Sequence, residues 1–273
     1  METASGRRRT ELRADCERCI GLCCVAPAFA KSADFALTKP AGAPCRNLGE
    51  DYRCLIHSEL VTRGFPGCTA YDCFGAGQAV SQGVYELMSW RESRERAAEM
   101  FAVFAVMRDL HELLWLLEEA KKYATTRELA ARLEGEFEKV ESTTRLEPGR
   151  LRRVLIEGLR REINPLLVEV SRLAREGTPA ADFRGAELIG ADLREEDLRG
   201  ANLRGALLLG ADLRAARVGK ADFTGADLRG ALVAGTDLRS CLFLSQMQVG
   251  AAVGDAATAL PPTLQRPHHW TNG

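Results

Sequence analysis

Nine cysteines lie in this 273-residue chain, and eight of them fall between Cys16 and Cys73. Their order is Cys16-x2-Cys19-x3-Cys23-Cys24, followed by Cys45, Cys54, Cys68 and Cys73. Thiolates are soft ligands for zinc and iron, and the turn within a C-x2-C knuckle points both sulfurs toward one ion. A knuckle, an adjacent pair and four further cysteines in under 60 residues therefore point to metal. All eight are candidate ligands, enough for two four-sulfur sites or for one cluster with spares. The spacing does not choose between zinc, iron and an iron–sulfur cluster. Cys23 and Cys24 read equally well as two ligands or as one ligand beside a buried thiol. His57, three residues after Cys54, could join the set, although a surface or hydrogen-bonding role is the first expectation. Other chemistry is hard to find. The chain has no Gly-rich phosphate loop, no nucleophile elbow and no His-Glu-x-x-His helix. Any catalysis would have to sit at the metal, and a non-enzymatic role is the main expectation.

Composition bounds the setting. Lys and Arg total 37 against 38 Asp and Glu, a balance that suits neither a polyanion binder nor a DNA mimic. Arg7, Arg8 and Arg9 are followed by no apolar run, so no secretory signal is expected. The most apolar stretch, Met100 to Leu117, contains Arg108, Asp109, His111 and Glu112, which argues against a membrane span. A cytoplasmic protein is expected. In that reducing compartment clustered thiols favour metal over disulfides.

The elements that would hold the thiols are of three kinds. Residues 1–14 read as a disordered polar arm. Residues 15–83 read as a Cys-rich metal-binding domain, with too few large apolar side chains for a core, so that it calls for a staple. Residues 84–177 read as amphipathic helices. Met100, Val103, Met107, Leu110, Leu114 and Leu117 recur by three and four, a helical seam. Thr125 with Glu128 reads as a capping box for a second helix with Leu129, Leu133, Phe137 and Val140 on one face. Pro148 opens a third helix with Leu151, Val154, Leu155 and Leu159, and Pro165 predicts a break near Asn164. Such helices pack as a bundle or hairpin. His111 reads as a residue flanking the seam.

From Ala181 a period of five runs for 13 units: ADFRG, AELIG, ADLRE, EDLRG, ANLRG, ALLLG, ADLRA, ARVGK, ADFTG, ADLRG, ALVAG, TDLRS, CLFLS. Five matches neither the helix nor the strand period. It suits a chain that turns a corner every five residues, with one large and one small side chain inward and Gly supplying the turn. The repeat predicts a solenoid over residues 181–250, with 251–273 as cap or tail. Cys241 takes the small interior position of the last coil and is not a ligand candidate. Ile189, Leu207 and Leu209 stand where other units place Asp or Arg. That patch is expected to meet the helix around Leu166, Leu167, Val170 and Leu173, or a second copy of the chain.

These units resemble the pentapeptide-repeat family. The resemblance implies a right-handed quadrilateral β-helix, here of about three coils, and thus an α+β multi-domain fold class overall. Some members of that family resemble B-DNA and bind DNA gyrase with strongly acidic stacks. Residues 181–245 hold 9 basic and 10 acidic residues, so that role ranks last here. The thiol segment, CERCIGLCC with CRNL, CLIH and GCTAYDC, resembles a zinc- or iron-chelating family of the CxxCxxCC (YkgJ-like) type. That resemblance maps onto Cys16, Cys19, Cys23, Cys24, Cys45, Cys54 and Cys68, with Cys73 additional. The fusion of the two parts looks like a group of bacterial pentapeptide-repeat proteins. The function expected is a metal-binding scaffold, with zinc or iron as cofactor, whose repeats and helices bind a protein partner. The alternative is an iron-dependent or redox enzyme component. Nucleic acid and membrane are not expected partners, and a homodimer is an open alternative.

Overall fold

The computed structural model describes residues 4–270, with side chains from residue 8 onward. Residues 1–3 of the expected arm, the Arg7 side chain and residues 271–273 of the tail lie outside that description. In chain order the helices are α1 (Ala4–Glu11), α2 (Leu22–Val25), α3 (Pro66–Thr69), α4 (Ala76–Gln78), α5 (Arg94–Ala120), α6 (Arg127–Thr144), α7 (Pro148–Leu151), α8 (Ile156–Ala174) and α9 (Gln246–Ala251). The chain forms two compact units. The first combines Met1–Glu59 with Cys73–Val168, and the second combines Leu60–Asp72 with Glu169–Gly273.

In the first unit the three-four spacing does what it predicts. Met100, Val103, Met107, Leu110, Leu114 and Leu117 are buried along α5, and Leu129, Leu133, Phe137 and Val140 are buried along α6. The two helices pack on each other. Ser93 caps α5 by accepting from the Arg96 N–H. The cap of α6 is Thr126, one residue later than the Thr125 reading, and it accepts from Leu129. The segment read as a polar arm contains α1, whose Arg8 pairs with Glu134 at 2.6 Å and lies over the Phe137 ring. Pro165 does not break its helix. The chain breaks earlier, between α7 and α8, which leaves Leu155 largely exposed and lets α8 run through Pro165.

His111 is buried rather than flanking. A ring nitrogen sits 2.8 Å from the Phe74 carbonyl, and burial holds the imidazole pKa below its ordinary value.

The repeats occupy the second unit. Residues before the large apolar ones bridge, in parallel, residues twenty further on: Asp182 to Asn202 to Asp222 to Leu242, Glu187 to Leu207 to Asp227, Asp192 to Asp212 to Leu232, and Asp197 to Arg217. The large residues Leu203, Leu208, Leu213, Val218, Phe223, Leu228 and Val233 fill the middle with the alanines. The expected fold class needs correction. Among the described residues no β-strand and no sheet forms, and every regular element is a helix, so the α+β assignment with a right-handed quadrilateral β-helix solenoid does not hold. The reason lies in the period itself. A strand needs consecutive bridged residues, but each five-residue unit turns at a residue with positive φ, such as Gly205 or Gly225 near 65°. One bridged residue per edge is all that remains.

Local polar chemistry repeats with the coils. Asp192, Asp197, Asp212, Asp227 and Asp237 each accept from the N–H two residues on and pair with the Arg there. Asp222 departs from this rule. It is fully buried and accepts from Ser171, Thr224 and Arg204. Arg175 adds a bond to the Gly200 carbonyl. The end of α8 thus docks through polar groups on the Asn202–Asp222 column. Of the apolar residues expected to form a docking patch, Ile189 is 62% exposed and Leu207 37% exposed.

Candidate functional site

Short turns position the thiols of the first unit. Asp15 caps a single 3-10 turn over Cys16–Arg18, and the Cys19 N–H closes onto the Cys16 carbonyl. Gly21, at φ 74°, then turns the chain into α2, which carries Cys23 and Cys24. The Leu48 side chain and Tyr52 carbonyl lie where a Cβ on Gly21 would project, so that position requires glycine twice over. The Cys45 N–H donates to the Cys24 carbonyl at 3.0 Å, and Leu48 bridges Cys54. The loop 45–54 is thereby anchored beside the adjacent pair.

The geometry is one of paired sulfurs. Cys23 Sγ and Cys24 Sγ are 3.9 Å apart. The edge of a tetrahedral site with metal–sulfur bonds of ~2.3 Å is about 3.8 Å, so this pair already has the spacing of two ligands. A second pair meets at Gly77. A Cβ there would stand 2.8 Å from Cys19 Sγ and 3.7 Å from Cys73 Sγ, so both sulfurs converge on the space left by the missing side chain. Gly77 lies at the start of a segment that continues as a turn of π-helix over Ala79–Val84. Ser81 within it accepts from the Ile20 N–H and so ties that turn to the knuckle. Among the described residues no group of three or more His, Cys, Asp or Glu stands ready to hold an ion. The donor chemistry suits a thiophilic metal, and the arrangement is two pairs with neighbours rather than a closed four-sulfur cage.

Electrostatics connects the pairs. Cys16 is exposed as a residue, yet partial burial of its sulfur and the Cys19 and Cys24 thiols push its pKa up to about 11. The Cys23 thiol is raised, first by its hydrogen bond to Cys24 and then by burial. Cys24 is lowered, chiefly as the acceptor of that bond, with the Lys39 ammonium helping against burial. Burial raises Cys54, with Cys24 and Cys45 adding to it. A thiol that feels several others is one whose sulfur shares their space.

Two contributors escaped the sequence reading. Lys39 is buried, and its ammonium donates to the carbonyls of Val25, Ala43 and Pro40 at 2.9, 2.8 and 3.2 Å. Burial lowers its pKa, while Cys45 and Cys24 pull it back up. Lysine is scarce in this chain, and Lys31 and Lys39 both lie between Cys24 and Cys45, which was the available signal. Gly77 is the other, and nothing in its neighbourhood of the sequence marks it out. His57 is exposed and begins a short turn after Cys54. Cys68 falls in the second unit, on α3, where it is exposed, and the neighbouring Thr69 hydroxyl bonds the Gly250 carbonyl. Cys241 is buried in the repeats, its thiol donating to the Val218 carbonyl at 3.3 Å, and burial raises its pKa. Among the described residues no helix is long and apolar enough to cross a membrane.

Comparison with known proteins bears mainly on the repeats. Residues 181–218 and 206–243 match the family described as pentapeptide repeats, in 8 copies. Over 265 residues the chain is 51% identical to an uncharacterized protein, YybG, of Bacillus subtilis (strain 168), with 95% of each chain covered. No solved structure matches the chain.

Proposed function

We propose, for a chain that belongs to the same family as YybG and carries pentapeptide repeats, the role of a metal-binding scaffold. Its thiol segment holds zinc or iron, and its repeats and helices engage a protein partner. The observation that carries the metal half is the convergence of thiols from distant points of the chain. Cys19 and Cys73 meet over Gly77, Cys23 and Cys24 stand 3.9 Å apart, and Cys45 is bonded to the backbone of Cys24. Thiol pairs of this kind have no packing reason to form, since an alanine would fill the same space without the reactivity. Modest movement of side chains would draw the two pairs toward a shared ion or cluster, with Cys16, Cys45 and Cys54 completing it. Lys39 would offset part of the negative charge that several thiolates bring to one ion.

The interaction half rests on the repeat family and on the surface it displays. Carboxylates at Asp192, Asp197, Asp212, Asp227 and Asp237 are matched by arginines. A surface of that kind suits a protein partner better than it imitates a nucleic acid. The test is anaerobic purification followed by elemental analysis and an absorption spectrum. Stoichiometric zinc in a colourless protein, or iron in a coloured one, supports the reading, and colour also separates the scaffold from the redox alternative. Protein that binds neither metal on reconstitution, with every thiol reacting freely, overturns it.

A further inference from the structure

Three buried side chains hold the two backbone stretches whose thiols converge on Gly77. Ser81 is fully enclosed, and its hydroxyl accepts from the Ile20 N–H at 3.1 Å and donates to the Gly77 carbonyl at 2.7 Å. The Ile20 N–H belongs to the peptide group that follows Cys19, so one hydroxyl ties that peptide to the glycine between the sulfurs. Trp90 holds the other side of Ile20, its indole N–H donating to the Ile20 carbonyl at 2.9 Å. On the Cys73 side the backbone turns through two residues of positive φ, Phe74 at 50° and Gly75 at 81°. For an aromatic residue that conformation is costly and persists only where its surroundings fix it. Helix α5 supplies them. His111 is buried there, and its Nδ1 donates to the Phe74 carbonyl at 2.8 Å. The Phe74 ring lies 5.6 Å from that of Trp115 on the same helix. Gly77 itself belongs to α4, which runs on into the turn of π-helix that carries Ser81, an irregularity frequent at functional positions.

We infer that His111 and Ser81 are positioning residues for the metal, holding Cys73 and Cys19 as a two-sulfur clamp on one ion. The inference rests on the metal reading proposed above and assigns tasks to two side chains that are not themselves ligands. A sulfur's place follows from its backbone and one χ1 rotamer, so fixing the neighbouring peptide groups fixes the opening between the two sulfurs. Ser81 does this for Cys19 through the Ile20 N–H, and His111 does it for Cys73 through the Phe74 carbonyl. The Ser81 bond to the Gly77 carbonyl joins the two halves. Both groups act at one remove from the sulfurs, as outer-shell partners do at metal centres, where their loss weakens metal binding about ten- to a hundredfold. All of these residues lie in the first unit.

The experiment is anaerobic titration of the metal-free full chain with cobalt(II), whose thiolate-to-cobalt charge-transfer absorption reports the sulfur bonds to each ion. His111→Leu and Ser81→Ala should each weaken cobalt binding about ten- to a hundredfold and lower the charge-transfer intensity per bound ion. His111→Asn, whose amide nitrogen stands as far from Cβ as Nδ1 does, should recover most of the loss. In a Cys73→Ser background His111→Leu should have little further effect on cobalt affinity, because the sulfur it positions is gone. A purely structural role would act there as strongly as before. Val140→Ala, which leaves a cavity on α6, is the control and should lower the melting temperature with cobalt affinity kept. Should His111→Leu not fold, the same cycle of Ser81→Ala with Cys19→Ser decides. A wild-type chain that takes up no cobalt overturns the metal reading and this inference with it. Uptake by the wild type that both variants leave unchanged, or an undiminished effect of His111→Leu beside Cys73→Ser, overturns this inference alone.

Discussion

Between Cys16 and Cys54 most backbone bonds close within a few residues, and the chain is shaped by individual turns at Asp15, Gly21 and Tyr52. From Ala181 onward short bonds at the corners, such as Ala206 N–H to the Leu203 carbonyl, alternate with bonds that reach about twenty residues to the next coil. The repeats bury a continuous apolar core, with Leu203, Leu208 and Phe223 fully enclosed. The thiol segment offers Ile20, Leu22 and Val25 as its buried apolar residues over the same stretch. One region therefore has a hydrophobic reason to fold and the other lacks a sufficient one. The comparison teaches where each region's stability comes from: burial in the repeats, and, on the reading proposed above, metal in the thiol segment.

The largest expected effect tests that division. Removing metal from the purified protein should withdraw folding free energy on the order of 10 kcal/mol from the thiol segment. Limited proteolysis and hydrogen exchange should then show residues 15–59 opened while 201–243 stay protected. Equal protection with and without chelator would erase the contrast. The reciprocal experiment is Leu208→Ala, which leaves a cavity in the repeat core and should destabilise the second unit by about 2–5 kcal/mol, read by chemical denaturation, with metal content unchanged.

Gly77→Ala tests whether the thiol segment depends on position rather than on volume. The added methyl would collide with Cys19 Sγ at 2.8 Å. Loss of about half the bound metal, or a clear fall in its affinity, is expected, together with a destabilisation of about 1–3 kcal/mol. An acid titration sharpens the comparison from the other side. The Arg194 and Arg199 guanidiniums hold Asp192 and Asp197 down to about 2, below the unfolded value of about 4. A depressed carboxylate contributes stability above the unfolded pKa and loses it as pH falls through the folded one. The repeats should therefore show no carboxylate-linked loss above about pH 4 and a shallow one below it, shallow because these pairs are exposed. Circular dichroism against pH, with Arg194→Ala as control, reads this. The smallest effect is expected at Ala215, which sits at φ 58° on a corner that most units give to glycine. Ala215→Gly should stabilise the repeats by roughly 0.5–1 kcal/mol, measured by thermal melting.

Much of this was legible in residue order. The α5 and α6 faces followed from three-four spacing, because an amphipathic helix has one way to bury a stripe. The interior of the repeats followed from the period of five, and Cys241 took the small inward place the period assigns. The spacing also set Cys23 and Cys24 side by side, and their sulfurs lie 3.9 Å apart.

Other features waited on tertiary structure. Helix α8 passes through Pro165 because its ends are held elsewhere, by Arg160 on Asp109 and Glu112 in the first unit and by Ser171 on Asp222 in the second. Local propensity loses to such long-range anchoring. The end of α8 is held in the second unit by a buried carboxylate, Asp222. Asp222 differs in sequence from the other Asp of the repeats only in having Thr224 rather than Arg two residues on, and its coverage by Ser171 and Arg204 completes the difference. Gly77 and Lys39 gained their roles from residues far away in the chain, Cys19 and Cys73 for one and Val25 and Ala43 for the other. Sequence by itself determined what recurs: the helical stripes, the inward residues of each coil and the supply of thiols. Tertiary structure decided what meets: the sulfurs that pair and the Asp that is buried. The physical reason is that periodicity is a local property of the chain, whereas the partner of a buried polar group or a thiol is fixed by the packing of segments that sequence order leaves far apart.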